Sequence, residues 1–314
     1  MNTLAVVIEG PERLTLDRLA LQSAAEDDIV VSTEWSGIST GTERLLWSGK
    51  MPTFPGMGYP LVPGYESVGR IEAIGRNVHD RRVGERVFVP GARCYRDVRG
   101  LFGGAASRLI VPAKRATPID ESLGENAVLL ALAATARHAM AAPFAEAPEL
   151  IVGHGVLGRL LARITIASGT PAPTVWELDA ARASGAEGYR VCTPDEDTRR
   201  NYRSVYDVSG DARILDSVIA RLAPGGEVTL AGFYTERMSF DFTAAFMREA
   251  RVRVAAEWKD ADLTAVLQWI AAGRLSLEGL ITHRREASAA DQAYRQAFVD
   301  PLCLKMILDW RQAA

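Results

Sequence analysis

Glu149-Leu150-Ile151-Val152-Gly153-His154-Gly155-Val156-Leu157-Gly158-Arg159-Leu160-Leu161-Ala162 is the stretch whose reading decides the fold. Residues 150–152 read as a buried strand, and Gly153, Gly155 and Gly158 fit G-x-G-x-x-G. Leu157, Leu160, Leu161 and Ile164 then recur at helical spacing. Strand, tight turn and helix are the setting in which this motif holds a dinucleotide. The first glycine permits the turn, the second lets a pyrophosphate approach the backbone, and the third lets helix and strand pack closely. The helix start adds free N–H groups and a partial positive charge. Gly153, His154, Gly155, Val156, Leu157 and Gly158 are therefore the expected cofactor loop.

The next strand supports the same reading. Residues 174–177 are strand-like and end in Glu177, 24 residues after Gly153; an acid that holds the ribose diol is expected about 20 residues on. A carboxylate there accepts hydrogen bonds from both hydroxyls and repels a 2′-phosphate, which favours NAD over NADP. Arg182, close by in sequence, pulls the other way. The plain alternative is a βαβ unit whose glycines serve packing alone.

Around this centre the chain has 314 residues, room for two domains. A net charge of −3 gives no concentrated basic face for nucleic acid. No apolar run approaches the length of a membrane span. Residues 1–9 carry no basic region ahead of their apolar run and so do not read as a signal peptide. Cys94, Cys192 and Cys303 lie far apart, which suggests neither a disulfide framework nor a zinc knuckle. The expectation is a reduced, cytoplasmic protein with a small-molecule substrate.

Residues 1–121 read as β-rich, with short strands at 4–8, 14–21, 29–35, 67–73, 84–90 and 103–111 punctuated by Gly and Pro, as in a barrel-like antiparallel domain. A helix is expected over 125–142. After the glycine motif, strands at 204–208, 227–231 and 251–256 alternate with helices at 212–222 and 263–272, as in a parallel sheet covered by helices on both faces. A last strand at 302–308 would return to the first domain.

This order of elements resembles the medium-chain dehydrogenase/reductase superfamily. Val62-Pro63-Gly64-Tyr65-Glu66-Ser67-Val68-Gly69 resembles its G-H-E segment, and Val83-Gly84-Glu85-Arg86-Val87 resembles its G-D-R-V turn and strand. Ile281-Thr282-His283-Arg284, Ala293-Tyr294 and Leu304-Lys305-Met306-Ile307-Leu308 resemble its C-terminal return. The resemblance implies an α/β protein. It would pair a β-rich GroES-like catalytic domain, 1–121 and 274–314, with a Rossmann doubly wound parallel-sheet domain, 122–273, which binds NAD. The zinc chemistry departs from the pattern. The positions matching the three metal ligands hold Ser39, Tyr65 and Ala131, none a thiolate or imidazole. A lobe of four cysteines for structural zinc is also absent, so no metal is expected. Residues 36–49, continuing through 54–66, resemble a branch that oxidises the hydroxyethyl side chain of a tetrapyrrole pigment.

Without zinc the alcohol proton needs another acceptor. The candidates are Tyr65 first, then Ser39, with Thr40 and His154 also in view. Trp47, Met51, Phe54, Met57, Tyr59 and Leu61 crowd a Pro/Gly-rich loop, and such aromatics and methionines suit a large flat apolar ligand. The same side chains would alternatively pack the loop or meet a second subunit of a homo-oligomer. Arg44, Arg137 and Lys50 are candidates for a ring carboxylate, or else solvated surface charges. A zinc-free quinone or enone reductase, and a nucleotide-binding protein without turnover, are the competing functions.

Overall fold

Strands dominate the first part of the computed structural model, which describes residues 1–53 and 55–313. β1 (Asn2–Gly10) and β2 (Arg13–Ala20) form a hairpin, followed by β3 (Asp28–Ile38) and α1 (Thr42–Ser48). β4 (Leu61–Val62), β5 (Ser67–Ile74), β6 (Arg86–Val89), β7 (Arg99–Gly100), β8 (Arg108–Pro112) and β9 (Thr117–Pro118) complete the run. On β2, Leu14 is buried while Arg13, Thr15, Asp17 and Arg18 are exposed, so this edge strand shows one face to water. The longer β3 is buried along most of its length and sits between β5 and other partners. The strand expected at 103–111 begins only at Arg108; residues 103–106 instead run beside 62–64 and β1 through single backbone bonds.

The chain divides into two compact units, residues 1–131 with 278–314, and residues 132–277. Near the first boundary a single helix over 125–142 was expected. The structure has a 3-10 run, Glu121–Leu129, followed by α2 (Leu130–Ala139). Gly124 interrupts the run at φ 50° and ψ −134°, and Pro143 disfavours helix in the residue before it.

The second unit is a six-stranded parallel sheet. β10 (Leu150–Val152) leads through α3 (Val156–Ala167) to β11 (Thr174–Trp176), and β12 (Arg190–Cys192) lies outside that. The chain then crosses back to β13 (Tyr202–Asp207), α4 (Leu215–Ile219), β14 (Leu222–Leu230), α5 (Phe242–Phe246), β15 (Arg251–Val254) and α6 (Asp260–Ala271). The strand order β12-β11-β10-β13-β14-β15 reverses beside β10, the place where such sheets hold ligands at their carboxyl edge. Two expectations are corrected. The helix foreseen over 212–222 is only α4, because Asp211 turns its carboxylate onto the Arg213 amide and Leu222 already pairs with Tyr202. β14 then runs through Pro224–Gly226 with a register shift, the kind of irregularity at which a strand tolerates proline. Cover by helices also fails between β11 and β12. There Asp179 Oδ1 accepts from the Ala181 amide, an Asx turn that competes with helix, and residues 177–189 cross as a loop.

The chain returns to the first unit through β16 (His283–Glu286), α7 (Ala290–Val299) and β17 (Met306–Asp309). β17 lies antiparallel to β3 and parallel to β16, giving a sheet in the order β16-β17-β3-β5-β6-β9, with β8 also on β3. A second sheet runs β2-β1-β4-β7. The final strand starts four residues later than the 302 expected, because Asp300 Oδ1 accepts from the Leu302 amide in a turn. Val6, Ile8, Leu46, Leu61, Tyr294 and Met306 share one core of this unit. Ile29, Val31, Val87 and Leu109 belong to another.

Candidate active site

In the second unit the three glycines of the motif differ in their surroundings. Gly153 sits at φ +102°, where a side chain is strained, and its amide donates to the Trp176 carbonyl at 2.9 Å. A Cβ at Gly158 would lie 1.9 Å from the Gly153 oxygen, so helix and turn touch backbone to backbone. A Cβ at Gly155 would meet nothing within 4 Å. Gly155 also caps α3 with no side-chain partner, leaving first-turn N–H groups for an incoming acceptor. The donor set and the open side at Gly155 fit a pyrophosphate.

Glu177 lies against this turn. Its Oε2 accepts from the His154 amide at 3.1 Å and its Oε1 from the Asp179 amide at 2.9 Å. A carboxylate offers about four acceptor positions, so two backbone bonds leave capacity for hydroxyls.

His154 is fully buried. Its Nδ1 is 2.7 Å from the Arg182 carbonyl, so it carries the proton and donates; Nε2, 2.8 Å from the Tyr189 hydroxyl, accepts. Burial, the largest influence, pushes the imidazole down to about 4. Both nitrogens of this candidate proton acceptor are thus spent on tying loop 177–189 to the turn. Arg159 was not singled out from the sequence, yet it does the same work. Its Nε donates to the His154 carbonyl, and its other nitrogens to the carbonyls of Arg182, Ser184 and Gly185. One buried guanidinium with five donors takes over the pinning of a segment that has no helix.

In the first unit Ser39 follows β3 and is 5% exposed. The half-buried Tyr65 donates its hydroxyl to Ser39 Oγ at 2.8 Å, and the Thr42 amide donates to the same oxygen at 3.2 Å. Thr40, half-buried, is next in the chain. Two of the positions expected from the resemblance to match metal ligands hold a directly bonded hydroxyl pair, while Ala131 is buried. Tyr65 keeps its proton. Burial, and after it the Glu66 charge, pushes the phenol well above its usual range.

Behind this pair lie charges that the sequence reading left aside. Glu43, in the first turn of α1, is fully buried. Its Oε1 accepts from the Ser39 amide at 3.1 Å and its Oε2 from the Tyr294 hydroxyl at 2.6 Å. Glu66 Oε2 meets Lys305 Nζ at 2.6 Å, and that ammonium also donates to the Ile38 carbonyl at 3.2 Å. Glu66 Oε1 has no hydrogen-bond partner among the described residues. Among the described residues, no three His, Cys, Asp or Glu side chains converge as metal ligands.

The candidate pigment contacts fare differently. Trp47 and Tyr59 pack against the core of the first unit, Trp47 with its ring 5.5 Å from that of Phe298. The Tyr59 hydroxyl donates to the Leu46 carbonyl. Both are half-buried, packed on one side and open on the other. Phe54 lies outside the described residues. Arg44 and Lys50 are exposed. Arg137 belongs to the second unit, 3.8 Å from an Asp262 oxygen and 5.7 Å from the centre of the Trp269 ring, so its charge already has partners.

Residues 25–121 match the alcohol dehydrogenase GroES-like domain. The chain is 55% identical over 319 residues to the 2-desacetyl-2-hydroxyethyl bacteriochlorophyllide A dehydrogenase of Cereibacter sphaeroides, and 52% identical over 314 residues to that of Rhodobacter capsulatus. Both matches cover 100% of this chain and 100% of the relative. Among solved structures, 2R,3R-butanediol dehydrogenase from Bacillus subtilis shares the fold, with a TM-score of 0.85 at 18% identity over 98% of this chain and 99% of that one.

Proposed function

The chain belongs to the 2-desacetyl-2-hydroxyethyl bacteriochlorophyllide A dehydrogenases, alcohol dehydrogenases of the medium-chain superfamily, and on that footing we propose that it oxidises the hydroxyethyl side chain of a bacteriochlorophyllide to acetyl, with NAD as hydride acceptor and without zinc. The open glycine turn and the Glu177 carboxylate support a nicotinamide dinucleotide as the cofactor. NAD, when bound, supplies the electrophilic ring that takes the hydride. The protein's own residues do the rest. The backbone at Gly155 and the start of α3 would receive the pyrophosphate, and Glu177 the ribose hydroxyls, with its charge set against a 2′-phosphate. This assigns 132–277 as the cofactor unit and 1–131 with 278–314 as the catalytic unit.

The observation that carries the zinc-free reading is the Tyr65–Ser39 hydroxyl pair at 2.8 Å, in positions where zinc relatives place metal ligands. Oxidation removes a hydride from carbon and a proton from oxygen, and the proton must leave as charge builds on that oxygen. With Tyr65 a neutral donor, its O–H and the Thr42 amide orient Ser39, whose own hydroxyl hydrogen is left to meet the substrate oxygen. No helix among the described residues is long and apolar enough to cross a membrane.

The test is single-turnover oxidation of the hydroxyethyl pigment at saturating NAD. Tyr65→Phe keeps the ring and deletes the oxygen. Losing a proton-transfer group lowers the rate about 10²–10⁴-fold; as Tyr65 acts through Ser39, at least tenfold is expected here, with NAD affinity unchanged. A variant that turns over like the parent refutes the role of the pair.

A further inference from the structure

We propose that Arg159 is a positioning residue of the cofactor site: it holds the loop 177–189 against the glycine turn, so that Glu177 is set for the adenosine ribose before the dinucleotide arrives. The proposal rests on the reading of Glu177 as the ribose acceptor, and adds the group that keeps it in place.

The loop has little else to hold it. β11 ends at Trp176, and none of residues 177–189 is buried. Leu178 is 80% exposed, so even the loop's leucine stays in water. Its order comes from its backbone. The carbonyls of Arg182, Ser184 and Gly185 converge on the Arg159 guanidinium at 2.9, 2.7 and 3.1 Å. A fourth bond runs from Arg159 Nε to the His154 carbonyl, inside the glycine turn, at 3.1 Å. Arg159 stands in the first turn of α3 and is 5% exposed. All four bonds go to backbone oxygens and none to a carboxylate, so this cation ties loop to turn. A planar fork with several donors can grip three carbonyls of one loop at once, which an ammonium on a flexible stem does less well. Gly185 makes the approach possible: it sits at φ +80°, and a Cβ there would lie 2.6 Å from Arg159 Nη1.

The line from this grip to Glu177 is short. Glu177 Oε1 accepts from the Asp179 amide, Asp179 Oδ1 from the Ala181 amide, and the Asp179 carbonyl from the Arg182 amide at 2.9 Å. Arg182 thus closes the turn that orients one carboxylate oxygen, and its own carbonyl is held by both Arg159 and His154 Nδ1. The other carboxylate oxygen accepts from the His154 amide, in the same residue whose carbonyl takes Arg159 Nε. Both oxygens of Glu177 are therefore fixed through residues that Arg159 grips. A site ordered in advance spares the ligand the cost of ordering it.

The test is the dissociation constant for NAD and for NAD lacking the adenosine 2′-hydroxyl, measured by titration calorimetry on the full chain. The parent should prefer NAD by about tenfold or more, the worth of a hydrogen bond to a charged acceptor. Arg159→Met keeps an unbranched side chain and deletes the fork. It should bind NAD about tenfold or more weakly, and its preference over the deoxy form should shrink by about threefold or more. Arg159→Lys, a point charge without the fork, should fall between the two. In steady-state kinetics the loss should appear in KM for NAD and not in turnover at saturating NAD. A merely structural arginine would lower the melting temperature and leave the preference where it was.

A preference that stays at the parent's level in Arg159→Met overturns the proposal. If that variant fails to fold, Gly185→Ala decides instead: its Cβ pushes the guanidinium aside from an exposed loop position, and an unchanged preference there has the same consequence. Glu177→Ala separates the two readings. If it binds NAD as the parent does, the reading of Glu177 fails and the proposal with it. If it weakens NAD while Arg159→Met and Gly185→Ala do not, only the role of Arg159 falls.

Discussion

Replacing Lys305 with methionine tests the buried pair beneath the hydroxyls. The side chains of Lys305 and Glu66 are 2% and 0% exposed and meet at 2.6 Å. Methionine keeps most of the length and deletes the charge, leaving a carboxylate whose second oxygen already has no partner among the described residues. Breaking a buried pair in this way costs about 3–5 kcal/mol. The penalty depends on pH with a definite sign. Burial already raises the Glu66 carboxyl, with Lys305 opposing, so removing Lys305 raises it further. A raised acid contributes its stability below its unfolded value and loses it as pH climbs through the folded one. The penalty should therefore be full near pH 8. Near pH 4 it should fall to about 1 kcal/mol, the worth of the lost bond to the Ile38 carbonyl. At pH 8 the melting temperature should drop by roughly 6–20 °C. Urea unfolding at both pH values, followed by tryptophan fluorescence, measures this directly. The double variant Lys305→Met/Glu66→Met should recover most of the loss, since an apolar pair of similar volume replaces the ions. A penalty below about 1 kcal/mol at pH 8, or a double variant no better than the single, would refute the reasoning.

Gly155→Ala should melt within a few degrees of the parent, because its Cβ meets no atom within 4 Å, yet bind NAD at least tenfold more weakly if the pyrophosphate lies there as proposed. Gly158→Ala should lose about 1–3 kcal/mol or more in thermal unfolding, since its Cβ overlaps the Gly153 carbonyl. Glu177→Ala should raise KM for NAD and narrow the gap to NADP in steady-state kinetics; equal values before and after would remove Glu177 from the cofactor site. Elemental analysis should find no stoichiometric zinc, and a chelator should leave activity intact; about one zinc per chain with metal-restored activity would reverse that reading.

Much of the fold was legible because its signals are local. The glycine motif carries strand, turn and helix within 14 residues, and the parallel sheet follows from alternation along the chain. The misread elements fail for local reasons too: aspartate side chains at Asp179, Asp211 and Asp300 capture nearby amides and cut short a helix or delay a strand. The candidate site was legible only in part. Ser39 and Tyr65 stand out by resemblance, but nothing near them in sequence announces Lys305, which lies 239 positions from Glu66, or Tyr294, which lies 251 from Glu43. Arg159 looked like one more residue of an amphipathic helix. Its importance comes from the missing crossover helix, which no periodicity reveals. For the loop aromatics, residue type alone does not separate a packed Trp47 or Tyr59 from one offered to a ligand.

The return of β17 to the side of β3 also sets an order in time. Residues 132–277 leave the ribosome as one continuous block, and a parallel sheet can assemble within it while synthesis goes on. The first unit has no such independence. β3 waits for β17 on one flank, and Glu66 for its ammonium, until synthesis reaches residues 305–309. At about 5–20 residues per second the interval between Glu66 and Lys305 is roughly 10–50 s. During that wait β3 has an open flank and Glu66 is an unmatched acid, so the first unit closes after the block 132–277 has been made.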